Sequence, residues 1–197
     1  MSVPNSDEVI ITKGKADGYI FRAPKGTKFD DLKTPNVALP DTFVGLGYIN
    51  DEGIVESFSM DSEEKKDMNG TTVKVVKTSR SKTYQFTLMQ TSDDTLKVVY
   101  GDDNVTTNSG LREVKDNANG AVDSLYCLWF VTGETETDIE YTRVFIPNGA
   151  VSEIGDVTWL GTDVKQYQVT IAAQPDAESN TAYMYTQTFK KSTTAGA

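Results

Sequence analysis

Residues 141–176 read YTRVFIPNGAVSEIGDVTWLGTDVKQYQVTIAAQPD. The pattern predicts three antiparallel strands, at 141–146, 151–160 and 164–173, joined by two tight turns. Pro147-Asn148-Gly149 is expected to carry the first turn, because Asn-Gly supplies the positive φ angles that hairpins demand. Gly161-Thr162-Asp163 is expected to carry the second. The last strand alternates, with Tyr167, Val169, Ile171 and Ala173 on one face and Gln166, Gln168 and Thr170 on the other. Such alternation means one buried face and one polar face. In 151–160 the apolar phase flips across Gly155, which predicts a β-bulge there.

The rest of the chain extends this β reading. Strand patterns recur at 18–23, 44–49, 53–60, 71–77, 82–88, 125–131 and 183–189, broken by Pro24-Lys25-Gly26 and Asn50-Asp51-Glu52-Gly53. Residues 27–41 hold Pro35 and Pro40 and read as a loop. One helix is expected over 92–101. Thr91 or Ser92 can cap it, Asp93 and Asp94 suit its positive end, Leu96, Val99 and Tyr100 form its apolar stripe, and Gly101 ends it. Residues 102–119 read as an acidic loop. The predicted organisation is a mobile arm at 1–17, one domain at 18–189, and a frayed tail at 190–197. The predicted class is mainly β, a β-sandwich or barrel with one short flanking α-helix.

Composition narrows the function. The chain has 197 residues, enough for one domain. Its apolar content of 38% is below the usual ~45–50%, as suits a thin core with long polar loops. A net charge of −10 argues against coating nucleic acid, which needs a surplus of Lys and Arg. There is no histidine, which removes Ser-His-Asp and Cys-His catalysis and histidine metal sites. The single cysteine, Cys127, lies in an apolar run and reads as a small buried hydrophobe. The first residues lack the pattern of a signal peptide, and no apolar run approaches the ~18 residues of a membrane helix. Synthesis and assembly in a cytoplasm are therefore expected, with no membrane binding.

No constellation suggests chemistry. Asp102-Asp103-Asn104 lacks the spacing of a calcium loop and reads as a solvated segment. Lys13-Gly14-Lys15 lacks the preceding glycine and following hydroxyl of a phosphate loop. Asn69-Gly70-Thr71 and Asn104-Val105-Thr106 match glycosylation sequons without a secretory context. Trp129 and Trp159 sit among apolar strand residues and are expected in the core. Lys65, Lys66, Lys74, Lys77, Arg80 and Lys82 form a locally basic stretch, read as pairing with an acidic surface on a neighbouring subunit. No catalytic residue, metal ligand or cofactor is predicted.

Several segments, in order, resemble the tail-tube (major tail) proteins of long-tailed bacteriophages, the siphophages, of the kind common in phages of actinobacteria and other Gram-positive hosts. They are Gly18-Tyr-Ile-Phe-Arg-Ala-Pro24, Val44-Gly-Leu-Gly-Tyr-Ile49, Asn50-Asp-Glu-Gly53, Glu56-Ser-Phe-Ser59, Thr83-Tyr-Gln-Phe-Thr-Leu88, residues 96–105 (LKVVYGDDNV), Arg143-Val-Phe-Ile-Pro-Asn148, Gly155-Asp-Val157 and residues 167–176. The resemblance implies a structural virion protein with no enzymatic role. Six copies would form a ring whose inner sheets join into a barrel. Rings would stack into a hollow tube around a tape-measure protein, bounded by tail-tip and tail-terminator proteins. Double-stranded DNA would pass through without specific binding.

The resemblance also implies contact roles for the N-terminal arm and for an extended assembly loop at 61–82. That loop holds Asp61, Glu63, Lys65, Lys66, Lys74, Lys77 and Arg80, and is expected to fold as a hairpin through 71–77. Glu56, on an inner-strand match and hard to bury, is the expected lumen-facing residue. The rival expectation is a β-sandwich that binds carbohydrate or a receptor through exposed aromatics.

Overall fold

The computed structural model describes residues 9–15, 18–31, 33–117 and 123–191. The expected arm and tail lie largely outside these residues. Within them, Lys13–Gly14 form a short strand, β1, and the last strand runs through Lys190. The remaining elements are β2 (Ile20–Pro24), β3 (Val44–Gly45), β4 (Ile49–Lys66), β5 (Thr72–Leu88), α1 (Asp93–Tyr100), β6 (Val105–Asn108), β7 (Leu111–Val114), β8 (Ser124–Glu134), β9 (Asp138–Ile154), β10 (Tyr167–Ala173) and β11 (Tyr183–Lys190). The main sheet runs β3-β2-β8-β9-β10-β5-β4, with β1 on β8 and β11 on β9. The protein is mainly β with one α-helix among the described residues.

The long strand β9 organises the fold. Along one side it pairs β8. Along the other it pairs β11 through Phe145, then β10 from Gly149 onward. The sheet therefore divides at β9 into two layers that face each other. This corrects the expected turn at Pro147-Asn148-Gly149, which is extended strand. Pro147 sits where one partner strand leaves and the next arrives, so its missing N–H breaks no ladder bond. Gly149 is needed for closeness rather than for φ: a Cβ there would lie 2.6 Å from the Tyr126 ring and 2.8 Å from Ile171.

The expected strand 151–160 likewise ends at Ile154, and residues 155–166 hold no strand. The bulge is at Ser152 rather than Gly155, because Glu153 pairs Thr170 while Val151 pairs Ile171. Asn50-Asp51-Glu52-Gly53 is a bulge inside β4 rather than a turn: Ile49 pairs Leu88 and Ile54 pairs Phe86. Gly53, at φ 74°, permits it.

Two clusters hold the layers. Ile20, Leu128, Val144 and Ile146 face Tyr84, Phe86, Val169 and Ile171, with Leu96, Val98 and Val99 of α1 at one end. Thus Val98 is buried and Tyr100 only half-buried, a shift of the expected stripe. Ser92 caps α1, its hydroxyl accepting from the Thr95 N–H at 3.1 Å. On the outer face of β8 and β9, Ala23, Phe43, Leu125, Cys127 and Phe145 form a second cluster, with Phe29 and Leu39 packed against it. Phe29, Leu39 and Phe43 bring the described part of the 27–43 segment over that face. The expected acidic loop at 102–119 contains the β6–β7 hairpin, whose turn places Ser109 and Gly110 at positive φ. Arg112 joins Asp93 at 2.6 Å and pins this hairpin to α1.

Candidate functional site: an assembly surface on the β4–β5 ribbon

β4 and β5 extend well beyond the body. The last β10–β5 pair is Ala172–Thr83, and from there β4 and β5 pair only with each other out to Lys66 and Thr72. The expected loop at 61–82 is therefore a continuous two-stranded ribbon. Its register shifts at Asp61/Ser62 and at Lys65/Lys66, and β-branched residues such as Thr72, Val73, Val75 and Val76 favour its extended form. At the tip, Asp67 accepts from the Asn69 and Thr71 N–H groups at 2.9 and 2.7 Å, and Gly70 takes φ 81°.

The two ribbon faces differ. Residues directly paired across strands share a face. One face of the β9–β10–β5–β4 layer carries Glu153, Thr170, Gln85 and Val55 in one row, and Ala150, Ala172, Thr83 and Ser57 in the next. Ser59, Ser81, Asp61 and Ser79 continue it. This face holds two carboxylates and, as far as Asp61, no lysine or arginine.

The opposite face begins in the core at Ile54, Tyr84 and Phe86 and continues outward as Glu56, Phe58, Lys82, Arg80 and Met60. Phe58 and Met60 are exposed. Lys82 lies 4.9 Å from the Phe58 ring and Arg80 5.8 Å. Glu56 pairs with Lys82 and accepts from the Tyr84 hydroxyl at 3.1 Å. Burial, then the Glu56 charge, pushes the Tyr84 hydroxyl up. Glu56 thus sits on the core side of the layer. It lines a cleft of about 860 Å³ with Ile10, Tyr19, Ile54, Phe130 and Met184, and does not share the polar face.

The other expected contact residues do gather on the ribbon. Asp61 accepts from Ser79 at 2.6 Å, Glu63 pairs Lys65 at 2.5 Å, and Lys66 lies 3.8 Å from Glu64. Lys74, Lys77 and Arg80 have no carboxylate partner among the described residues. Asp102 does not await a cation: it holds Arg22 through two hydrogen bonds of 2.6 Å. Among the described residues there is no cluster of three metal-ligating side chains, and no helix long and apolar enough to cross a membrane.

Two features had no signal in the sequence pattern. Arg143 is fully buried. Its guanidinium lies 4.3 Å from the Trp129 ring and 5.3 Å from Phe29, and donates to the Thr34, Pro35 and Val37 carbonyls at 3.4, 3.3 and 2.5 Å. Burial lowers its pKa. It fastens the 27–43 segment over the second cluster. Next to it, burial pushes the Cys127 thiol up to about 12, so that thiol is inert. The second feature corrects the reading of Trp159. Trp129 is 3% exposed, as expected, but Trp159 is 79% exposed.

The fold is a two-layer β body with a projecting ribbon and open strand edges, an architecture of the kind that structural proteins use. The match of the phage tail tube protein model over residues 3–197 makes this specific: the chain belongs to that family. It is a tail tube structural protein and not an enzyme, which replaces the carbohydrate- or receptor-binding expectation.

No curated protein matches the chain. Among solved structures it is similar to a chain of the sheath–tube complex of an extracellular contractile injection system, PVC, in the extended state. That match has 10% identity, a TM-score of 0.41, and coverage of 84% of this chain and 87% of the other. It is also similar to the tube-terminating cap of the anti-feeding prophage, with 10% identity, a TM-score of 0.42, and coverage of 92% and 97%.

Proposed function

We propose that six copies of this chain close into a ring through the edges of the β9–β10–β5–β4 layer, and that rings stack into the tail tube that delivers a phage genome. The observation that carries this reading is the pair of free edges. β4 ends the sheet, and residues 150–154 of β9 lie beyond the last β8 pair at Gly149. The four strands alternate in direction, so the first and last run opposite ways. Head-to-tail joining of one copy's β4 to the next copy's β9 then continues the antiparallel pattern and hides both edges. Six such layers at about 4.8 Å per strand give a backbone diameter of about 37 Å before strand tilt widens it. A DNA duplex passes through such a bore.

The polar face of the layer suits the lumen. Glu153 and Asp61 repel phosphates, and the hydroxyl and amide groups offer no fixed positive charge to hold DNA. Glu153 replaces Glu56 as the lumen candidate, since Glu56 is engaged on the other side. The ribbon and the N-terminal arm make subunit and ring contacts. The tape-measure protein fills the tube during assembly in the host cytoplasm, and tail-tip and tail-terminator proteins bound it.

Cysteine substitutions at Ser57 and Ser152, joined by a bismaleimide, test the edge pairing against a background whose own thiol is buried. The expected product is a ladder reaching six copies. A ladder that stops at dimers would mean the edges pair by two-fold symmetry and would sink the ring.

A further inference from the structure

The 155–166 segment and the ribbon tip lie at opposite ends of the same four strands. Ile154 pairs Val169, Tyr167 pairs Leu88 and Leu88 pairs Ile49, so the 155–166 segment crowns that end. From there β4 and β5 run to the tip at residues 67–71. Beyond the last β10 pair the ribbon projects about 30 Å at roughly 3.3 Å per residue.

Both ends are apolar and exposed, and their charges are opposite. At the crowned end Trp159, Leu160 and Val164 face solvent. Lys165 lies 3.3 Å from the Trp159 ring and 5.0 Å from Tyr167, which holds the indole in place. Asp156 and Asp163 are exposed beside it, and neither has a cation partner among the described residues. At the ribbon end Met68, Val73 and Val75 face solvent next to Lys74 and Lys77, the cations left without a carboxylate.

We propose that the 155–166 segment is the receptor for the ribbon of the next ring, Trp159 taking the apolar contact and Asp156 and Asp163 meeting Lys74 and Lys77. This rests on the tube reading. In a stack of identical rings each junction brings one end of the chain against the other end of a second copy, so the two ends must be complementary. An exposed tryptophan held beneath a cation is the residue type that anchors such contacts.

The test uses the full chain assembled in solution and viewed by negative-stain electron microscopy. Trp159→Ala is expected to keep its fold and its cross-linked rings but to raise the concentration needed for tubes at least tenfold. Asp156→Lys with Asp163→Lys is expected to block tubes, and adding Lys74→Glu and Lys77→Glu to restore them.

A second readout needs no variant. Acrylamide quenching of Trp159 fluorescence is expected to fall several-fold from free chain to tube, while buried Trp129 stays dark to the quencher in both. Parent tubes with Trp159 still fully quenchable, or Trp159→Ala tubes at the parental concentration, would overturn this inference and leave the tube reading intact. A parent chain that forms neither rings nor tubes under any condition would sink both.

Discussion

Both tryptophans of this chain lie against cations, Trp129 against Arg143 and Lys15 at 4.3 Å each and Trp159 against Lys165, and almost everything else about them differs. Trp129 is packed with Arg143, Phe21 and Tyr141 under the 27–43 segment, and the guanidinium is closed off by three backbone carbonyls. Trp159 lies against Lys165 on an open surface. The same pairing thus serves two ends. Where it is sealed, a buried charge orders a segment that has no strand of its own. Where it is open, it steadies an aromatic that faces solvent. Desolvation is the difference, since a cation beside a ring gains most when water is excluded.

Arg143→Ala should break the comparison from the sealed side, with the largest effect. It orphans three carbonyls and opens a cavity against Trp129 and Phe29, at a cost of about 4 kcal/mol. Chemical denaturation reads the loss, and 27–43 should become the first segment cut by protease. A variant as stable as the parent would show that the carbonyls find other donors.

Acid should produce a smaller, local change, at carboxylates held by cations near the end of β11. Lys191 holds Glu134 below its usual range by hydrogen bond and charge; Lys190, then Thr137, do the same for Asp138 through hydrogen bonds. Their folded values are depressed. The stability they contribute is present above their unfolded values, near 4.5 and 3.8, and is lost as pH falls through the lower folded ones. Amide protection at the Lys190 end of β11 should therefore drop in acid while β10 stays protected. Equal loss in both strands would mean that the body opens as one unit.

Trp159→Ala should leave monomer stability within about 0.5 kcal/mol of the parent. A larger loss in a denaturation curve would place Trp159 among the folding contacts and erase the contrast.

What the sequence revealed follows from where the cause lies. β10 was legible because its cause is local: period-two alternation puts Tyr167, Val169, Ile171 and Ala173 inside. The Ser92 cap and Gly101 end of α1 were legible for the same reason. Gly149 misled because its glycine answers to Tyr126 and Ile171, far away in sequence, and not to a turn. Arg143 sits at a position whose alternation reads as solvent-facing, and only the 27–43 cover makes it interior. The basic residues of the ribbon were legible as a group. Their division between paired and unpaired, and the position of Glu56 beside Lys82, depend on register, which alternation alone does not set.

In the proposed ring, an even number of strands in the β9–β10–β5–β4 layer lets β4 of one copy meet β9 of the next antiparallel, where an odd number would set two like-directed strands side by side. Copies joined head to tail in this way all face the same way, and a tube built from them is an arrow. One of its ends bristles with ribbons and the other shows only tryptophan-bearing segments. In such a tube whatever starts it and whatever stops it must be different molecules, each shaped to one end, and the polarity comes from head-to-tail joining of a four-stranded layer.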